Sequence, residues 1–221
     1  IPQPSISSHA NPIERAGLVR DSLPEGGLFA EKSWRISPEA FPLSKREVKT
    51  LVRLGPILLK FQQAADLIYR RSRKGSLPGW IAEYLNRGKP ESLLEMSLGS
   101  PVAEAVPRVI RPDLILIENG FAASELDSVP GGIGLTAWLS QVYSTITPQA
   151  EIVGGADGMF SGFSSIFKKD AADILVSEEA GNYRPEMEWF SERLEGDFQV
   201  ADAETYKPGS RDVYRFFELF D

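Results

Sequence analysis

The chain has 221 residues, a net charge of −7, no cysteine and a single histidine, His9. Without cysteine there are no disulfides, thiolate metal sites or cysteine nucleophiles, and a Ser-His-Asp hydrolase would have to draw its base from His9, in a polar stretch of Ser, Pro and Asn. The acidic balance argues against a general nucleic-acid binder, and no run approaches the roughly 18 apolar residues of a membrane span.

Residues 1–43 are rich in Pro, Ser and Gly and read as an irregular leading segment, which Trp34, Ile36 and Phe41 could pin to the body. Ser44 with Glu47 three residues on makes a capping box, which predicts a helix over roughly 45–73. Val48, Leu51, Val52, Leu54, Ile57, Phe61 and Ile68 recur there at helical spacing. Gly55-Pro56 interrupts the pattern and should kink the helix. Its end, Arg70-Arg71-Ser72-Arg73-Lys74, complements the helix dipole or could face an anionic ligand. A short helix is predicted over 79–87, then a helical turn and a proline-flanked linker over 90–107.

The stretch from Arg111 to Asp127 carries the chemistry. Leu114 to Ile117 and Phe121 to Leu126 read as two strands, and Asn119-Gly120 is a turn signal. A three-residue loop, Glu118-Asn119-Gly120, with Gly120 left-handed, sets Asp113 opposite Glu125 and Arg111 opposite Asp127. Strand side chains alternate, so all four point to one face. Two carboxylates about 4 Å apart repel by roughly 4 kcal/mol at an effective dielectric near 20. One guanidinium against three carboxylates leaves two negative charges, which a hard divalent cation such as Mg²⁺ would neutralise. A solvated strand face with a surface ion pair accounts for the same pattern.

A glycine-rich loop, 128–133, precedes a helix predicted over 134–143. Glycines ahead of a helix N-terminus let an anion reach the backbone amides, so Gly131 and Gly132, with the hydroxyls of Ser128 and Thr136, are candidate contacts for a phosphate or carboxylate. A tight turn is the simpler use of such glycines. Gly154-Gly155-Ala156-Asp157-Gly158 lacks both a Walker ending and a spaced dinucleotide fingerprint and reads as a connection. A short helix within 159–168 follows. Ala172 to Val176, Phe198 to Val200 and Val213 to Phe217 read as strands, and Tyr183 to Leu194 as a helix with Trp189, Phe190 and Leu194 as apolar contacts.

Arg-x-Asp followed twelve residues on by Glu-x-Asp resembles the motif of the glutathionylspermidine synthase-like, circularly permuted ATP-grasp ligases. The resemblance implies that Asp113, Glu125 and Asp127 are Mg²⁺ ligands at the phosphates of ATP and that Arg111 stabilises the reacting acyl phosphate. Asp127 stands where the family usually has Asn, and the loop after it is one residue shorter than the common pattern. The β-α-β order after residue 172 is similar to the family's Rossmann-like pre-ATP-grasp domain. The expected fold is mixed α/β: a leading segment (1–43), a helical region with the ATP-grasp-type hairpin (44–147), and a pre-ATP-grasp-like domain (148–221). The family's phosphate lid and ATP-contacting lysines would lie beyond Asp221, so the chain reads as part of a longer, cytoplasmic ligase. It would join a small-molecule or peptide carboxylate to an amine, with neither nucleic acid nor a membrane as partner. A non-catalytic binding or scaffold domain, and a Mg²⁺-dependent phosphohydrolase, are the alternatives.

Overall fold

Asn11-Pro12-Ile13-Glu14 is a complete helix start. The Asn11 side chain accepts from the amides of Ile13 and Glu14, and the Glu14 carboxylate accepts from the Asn11 amide at 2.8 Å. Helix α1 (Pro12–Asp21) follows, so the leading segment expected to be irregular holds a helix. The capping pattern was present in the sequence, but the surrounding Pro and Ser masked it. The computed structural model describes residues 11–26, 35–99, 105–127 and 131–216. The chain divides into two units, Ile1–Leu43 with Val129–Glu218, and Ser44–Ser128 with Leu219–Asp221. Residues 129–147, read above with the hairpin, thus belong with the segment that follows them. The reason is packing: their helix buries its apolar side within the first unit.

In the first unit, that helix is α5 (Ile133–Ile146). Its Trp138 and Ile146 enclose Val19 of α1, with Leu18, Leu23, Ile36 and Trp189 around them. The Trp138 indole donates to the Ser22 carbonyl at 3.2 Å, and the Tyr143 hydroxyl donates to the Ser37 carbonyl at 2.9 Å. Ile36 therefore anchors the leading segment as expected, whereas Phe41 is exposed and Trp34 lies outside the described residues. After α6 (Gly158–Ser164), strand β3 (Ala171–Val176) leads through α7 (Arg184–Ser191) to β4 (Asp197–Asp202), and β5 (Asp212–Phe216) closes the sheet. The order is β4-β3-β5, and both pairings are parallel. A central parallel strand is covered on both faces, which explains the apolar run Ile174-Leu175-Val176. One cover is aromatic: Phe163 meets Phe190, Phe198 and Tyr214 at centroid distances of 5.2, 6.0 and 5.0 Å.

Arg211, just ahead of β5, ties the three strands together. It donates to Asp173 of β3 at 2.6 Å and forms a second ion pair with Asp197 of β4. The Tyr206 hydroxyl donates to the other Asp173 oxygen at 2.7 Å, which raises the phenol above its usual range.

In the second unit, α2 (Lys45–Arg73) starts at the Ser44–Glu47 capping box and runs through Pro56 as one element. It is followed by α3 (Trp80–Asn86) and α4 (Glu91–Leu98). The buried Ser72 hydroxyl donates to the Pro78 carbonyl at 2.6 Å and accepts from the Ala82 amide at 3.1 Å, while the Tyr69 hydroxyl donates to Asn86 at 2.7 Å. Polar contacts thus fasten α2 to α3. Strands β1 (Arg111–Ile117) and β2 (Gly120–Asp127) form an antiparallel hairpin.

Among the described residues, the carboxylates of Glu47, Asp197 and Glu204 lie below their ordinary range. The Ser44 hydroxyl and amide lower Glu47, the Arg211 guanidinium lowers Asp197, and the Glu178 amide lowers Glu204. A carboxylate depressed by folding contributes stability above its unfolded pKa, near 4, and loses it as the pH falls through the lower folded value. We expect the melting temperature to fall as the pH drops from about 5 to 2, and the fall to be smaller in Arg211→Ala. Thermal melts across that range check it. An unchanged slope in the variant would show that Arg211 does not set the acid limb.

Candidate functional site

The hairpin register places Arg111 opposite Asp127 and Asp113 opposite Glu125, as the spacing predicts. The turn differs from the expectation. It is the two-residue Glu118-Asn119, Gly120 pairs with Ile117, and the odd residue is absorbed by a bulge beside Asp113/Leu114. Gly120 keeps a positive φ of 136° as the first residue of β2. Ser124 is the residue without an opposite number, and its hydroxyl donates to the Asp113 carbonyl at 3.2 Å. Because the bulge falls between Asp113 and the turn, the two functional pairs keep their register and share a face.

On that face Arg111 bridges both strands. Its Nε lies 3.1 Å from Asp113 Oδ1, and an Nη lies 3.4 Å from Asp127 Oδ2. Asp127 is the more enclosed of the two carboxylates, with 20% of its side chain exposed against 47% for Asp113. Glu125 stands exposed beside them. The donor set suits a hard divalent cation: three carboxylates and one guanidinium with two negative charges in excess. The arrangement is not a finished metal centre. Among the described residues no group of three or more His, Asp or Glu side chains is placed to hold a metal ion. The expected trio Asp113, Glu125 and Asp127 is therefore aligned on one face but not drawn to one point. The guanidinium takes two of the three carboxylates, the arrangement electrostatics favours for neighbouring like charges.

The glycine-rich loop belongs to the other unit and has a different occupation. Gly132 is left-handed, with φ of 75°, at the N-cap of α5. Its amide donates to Glu186 Oε1 at 2.9 Å, and the Leu135 amide donates to Glu186 Oε2 at 3.2 Å. Glu186 is 0% exposed. The anion expected at this helix N-terminus is thus supplied by the protein itself, from α7. The neighbouring glycines are explained by close approach. A Cβ at Gly131 would lie 2.8 Å from the Tyr183 ring, and one at Gly134 would lie 2.6 Å from the Glu186 carbonyl oxygen. The Thr136 hydroxyl donates to the Gly132 carbonyl at 2.8 Å. Gly131, Gly132 and Thr136, taken above as ligand contacts, act here in helix capping and packing, and Ser128 lies outside the described residues. Glu186 had no sequence signal for this role, because it is 54 positions from its partner Gly132.

Neither the family models, the curated proteins nor the solved structures contain a match to this chain.

Proposed function

We propose that this chain is part of an ATP- and Mg²⁺-dependent carboxylate–amine ligase of the permuted ATP-grasp type, working in the cytoplasm. The observation that carries the reading is Arg111 paired with Asp113 on its own strand and with Asp127 across the hairpin, with Glu125 on the same face. The parallel β3-α7-β4 arrangement, read as a Rossmann-like pre-ATP-grasp domain, supports it.

In such a reaction a carboxylate oxygen attacks the γ-phosphorus of ATP and ADP leaves. An amine then attacks the acyl carbon of the mixed anhydride, phosphate leaves with its bonding electron pair, and the nitrogen releases a proton to solvent to give the amide. To hold Mg²⁺, whose role would be to offset charge on the nucleotide phosphates, Asp113, Glu125 and Asp127 would have to draw together from the positions in which Arg111 pairs with two of them. Arg111 would serve the same end from the protein side, facing the oxygens that gain negative charge. The pairing with Asp113 and Asp127 pre-positions that guanidinium on a rigid strand. The acid would be a small molecule or peptide, with an amine as acceptor.

The test uses the complete protein with ATP, Mg²⁺ and panels of acid–amine pairs, scored for ADP release and amide product. We expect Arg111→Ala to lower turnover by about tenfold or more, with the fold kept, because Arg111 is surface-accessible. Full turnover in that variant would overturn the assignment. ATP hydrolysis with no amine acceptor would instead indicate a phosphohydrolase.

The pairing of Arg111 with two carboxylates favours one second reading, a non-catalytic domain that keeps the hairpin as a structural ion-pair network. Calorimetry with ATP and Mg²⁺ separates the two. Binding without turnover, or no binding at all, would favour the scaffold.

A further inference from the structure

We propose that the outer side of α2 is a docking surface for an anionic lipid bilayer. Over Lys45–Arg73 the helix carries eight Lys and Arg residues against two carboxylates, in a chain whose net charge is −7. The two carboxylates are engaged locally, Glu47 in the capping box with Ser44 and Asp66 with Arg70 at 2.7 Å. The positive charge is therefore concentrated on one element and left largely uncompensated.

Its distribution around the helix is specific. Lys49, Arg53, Lys60 and Arg71 recur at four-, seven- and eleven-residue steps, so they form one stripe, and all four are exposed. By the same periodicity Val52 and Leu59 run along one flank, and Ile57, Phe61 and Ile68 along the other. All five of these apolar residues are exposed. The side that carries Leu54, Leu58, Tyr69 and Ser72 is turned inward, where the last two hold α3. The helix thus presents bases and large apolar side chains together on its free side.

That combination matches the chemistry of a lipid headgroup region. Phosphate and carboxylate groups pair with Lys and Arg, whose aliphatic stems lie along apolar surface, while the flanking side chains enter the boundary of the acyl chains. A like-charged second copy set α2 to α2 would be repelled. The proposal departs from the expectation that no membrane is a partner. It concerns surface attachment: among the described residues no helix is long and apolar enough to cross a membrane.

The test is cosedimentation of the 221-residue chain with phosphatidylcholine vesicles, with and without roughly a third phosphatidylserine, in low salt and in about 0.5 M salt. The expected result is binding at least about tenfold tighter to the anionic vesicles, weakened by salt. Arg53→Glu with Lys60→Glu should remove that preference, and Phe61→Ser should weaken binding severalfold, both with unchanged circular dichroism. Equal affinity for neutral vesicles, or undiminished binding by the charge-reversed variant, would overturn the proposal. So would binding to soluble polyglutamate as tight as to anionic vesicles, which would assign the face to an acidic protein, or a salt-sensitive soluble oligomer without vesicle binding.

Discussion

Glu186→Ala is expected to cost the first unit about 3 kcal/mol, the cost of leaving two half-buried amides without their acceptor. The wild-type carboxylate is fully buried and receives the amides of Gly132 and Leu135 at the start of α5. A helix N-terminus carries unpaired N–H groups and a partial positive charge, and an enclosed anion satisfies both. Water could not easily replace it, because the α7 backbone comes so close that a Cβ at Gly134 would lie 2.6 Å from the Glu186 carbonyl. Glu186→Gln keeps one acceptor but brings an amide group that needs its own partner, so it should lie between wild type and alanine. Urea denaturation followed by circular dichroism measures both. A loss below about 0.5 kcal/mol for the alanine variant would show that those amides have another acceptor.

Phe190→Ala should cost about 3–5 kcal/mol, the range for deleting a fully buried aromatic side chain that its surroundings cannot refill. Phe190 is fully buried on α7, stacked on Phe160 at 4.8 Å and edge-on to Phe163 at 5.2 Å. Through Phe163 the same cluster reaches Phe198 of β4 and Tyr214 of β5. The ring therefore joins the crossover helix to the sheet, and its removal leaves a void that stiff aromatic neighbours close poorly. Phe190→Leu, nearer in volume, should recover a large part of the loss. If alanine and leucine variants melted at the same temperature, packing of the ring would not be the source of the stability.

The two variants also separate the units. Glu186 and Phe190 belong to the first unit and the hairpin to the second, so the Arg111 ion pairs with Asp113 and Asp127 should survive both substitutions at temperatures where the chain stays folded. Arg111→Ala should act the other way, on turnover with little effect on melting, since exposed ion pairs contribute about 1 kcal/mol or less.

Much of the local structure was legible in the amino-acid order because its causes are local. Ser44 and Glu47 set the start of α2, and alternation with the Asn119-Gly120 turn signal set Arg111 against Asp127 and Asp113 against Glu125. The stretches Ala172 to Val176, Phe198 to Val200 and Val213 to Phe217, read as strands, correspond to β3, β4 and β5. Even the misread turn left those pairs intact, since the bulge at Ser124 corrected the count before the functional residues.

Tertiary structure alone decided two other matters. One is the meaning of the glycine-rich loop, which looked open to a ligand until Glu186, 54 residues from Gly132, filled the amides with a carboxylate of its own chain. The other is how the acidic hairpin balances its charge: Arg111 reaches Asp113 on its own strand and Asp127 across the ladder, and the trio does not gather. Spacing along the chain determines which residues share a face or a turn. Which distant group satisfies a buried amide or a crowded charge depends on distances that exist only once the elements have packed.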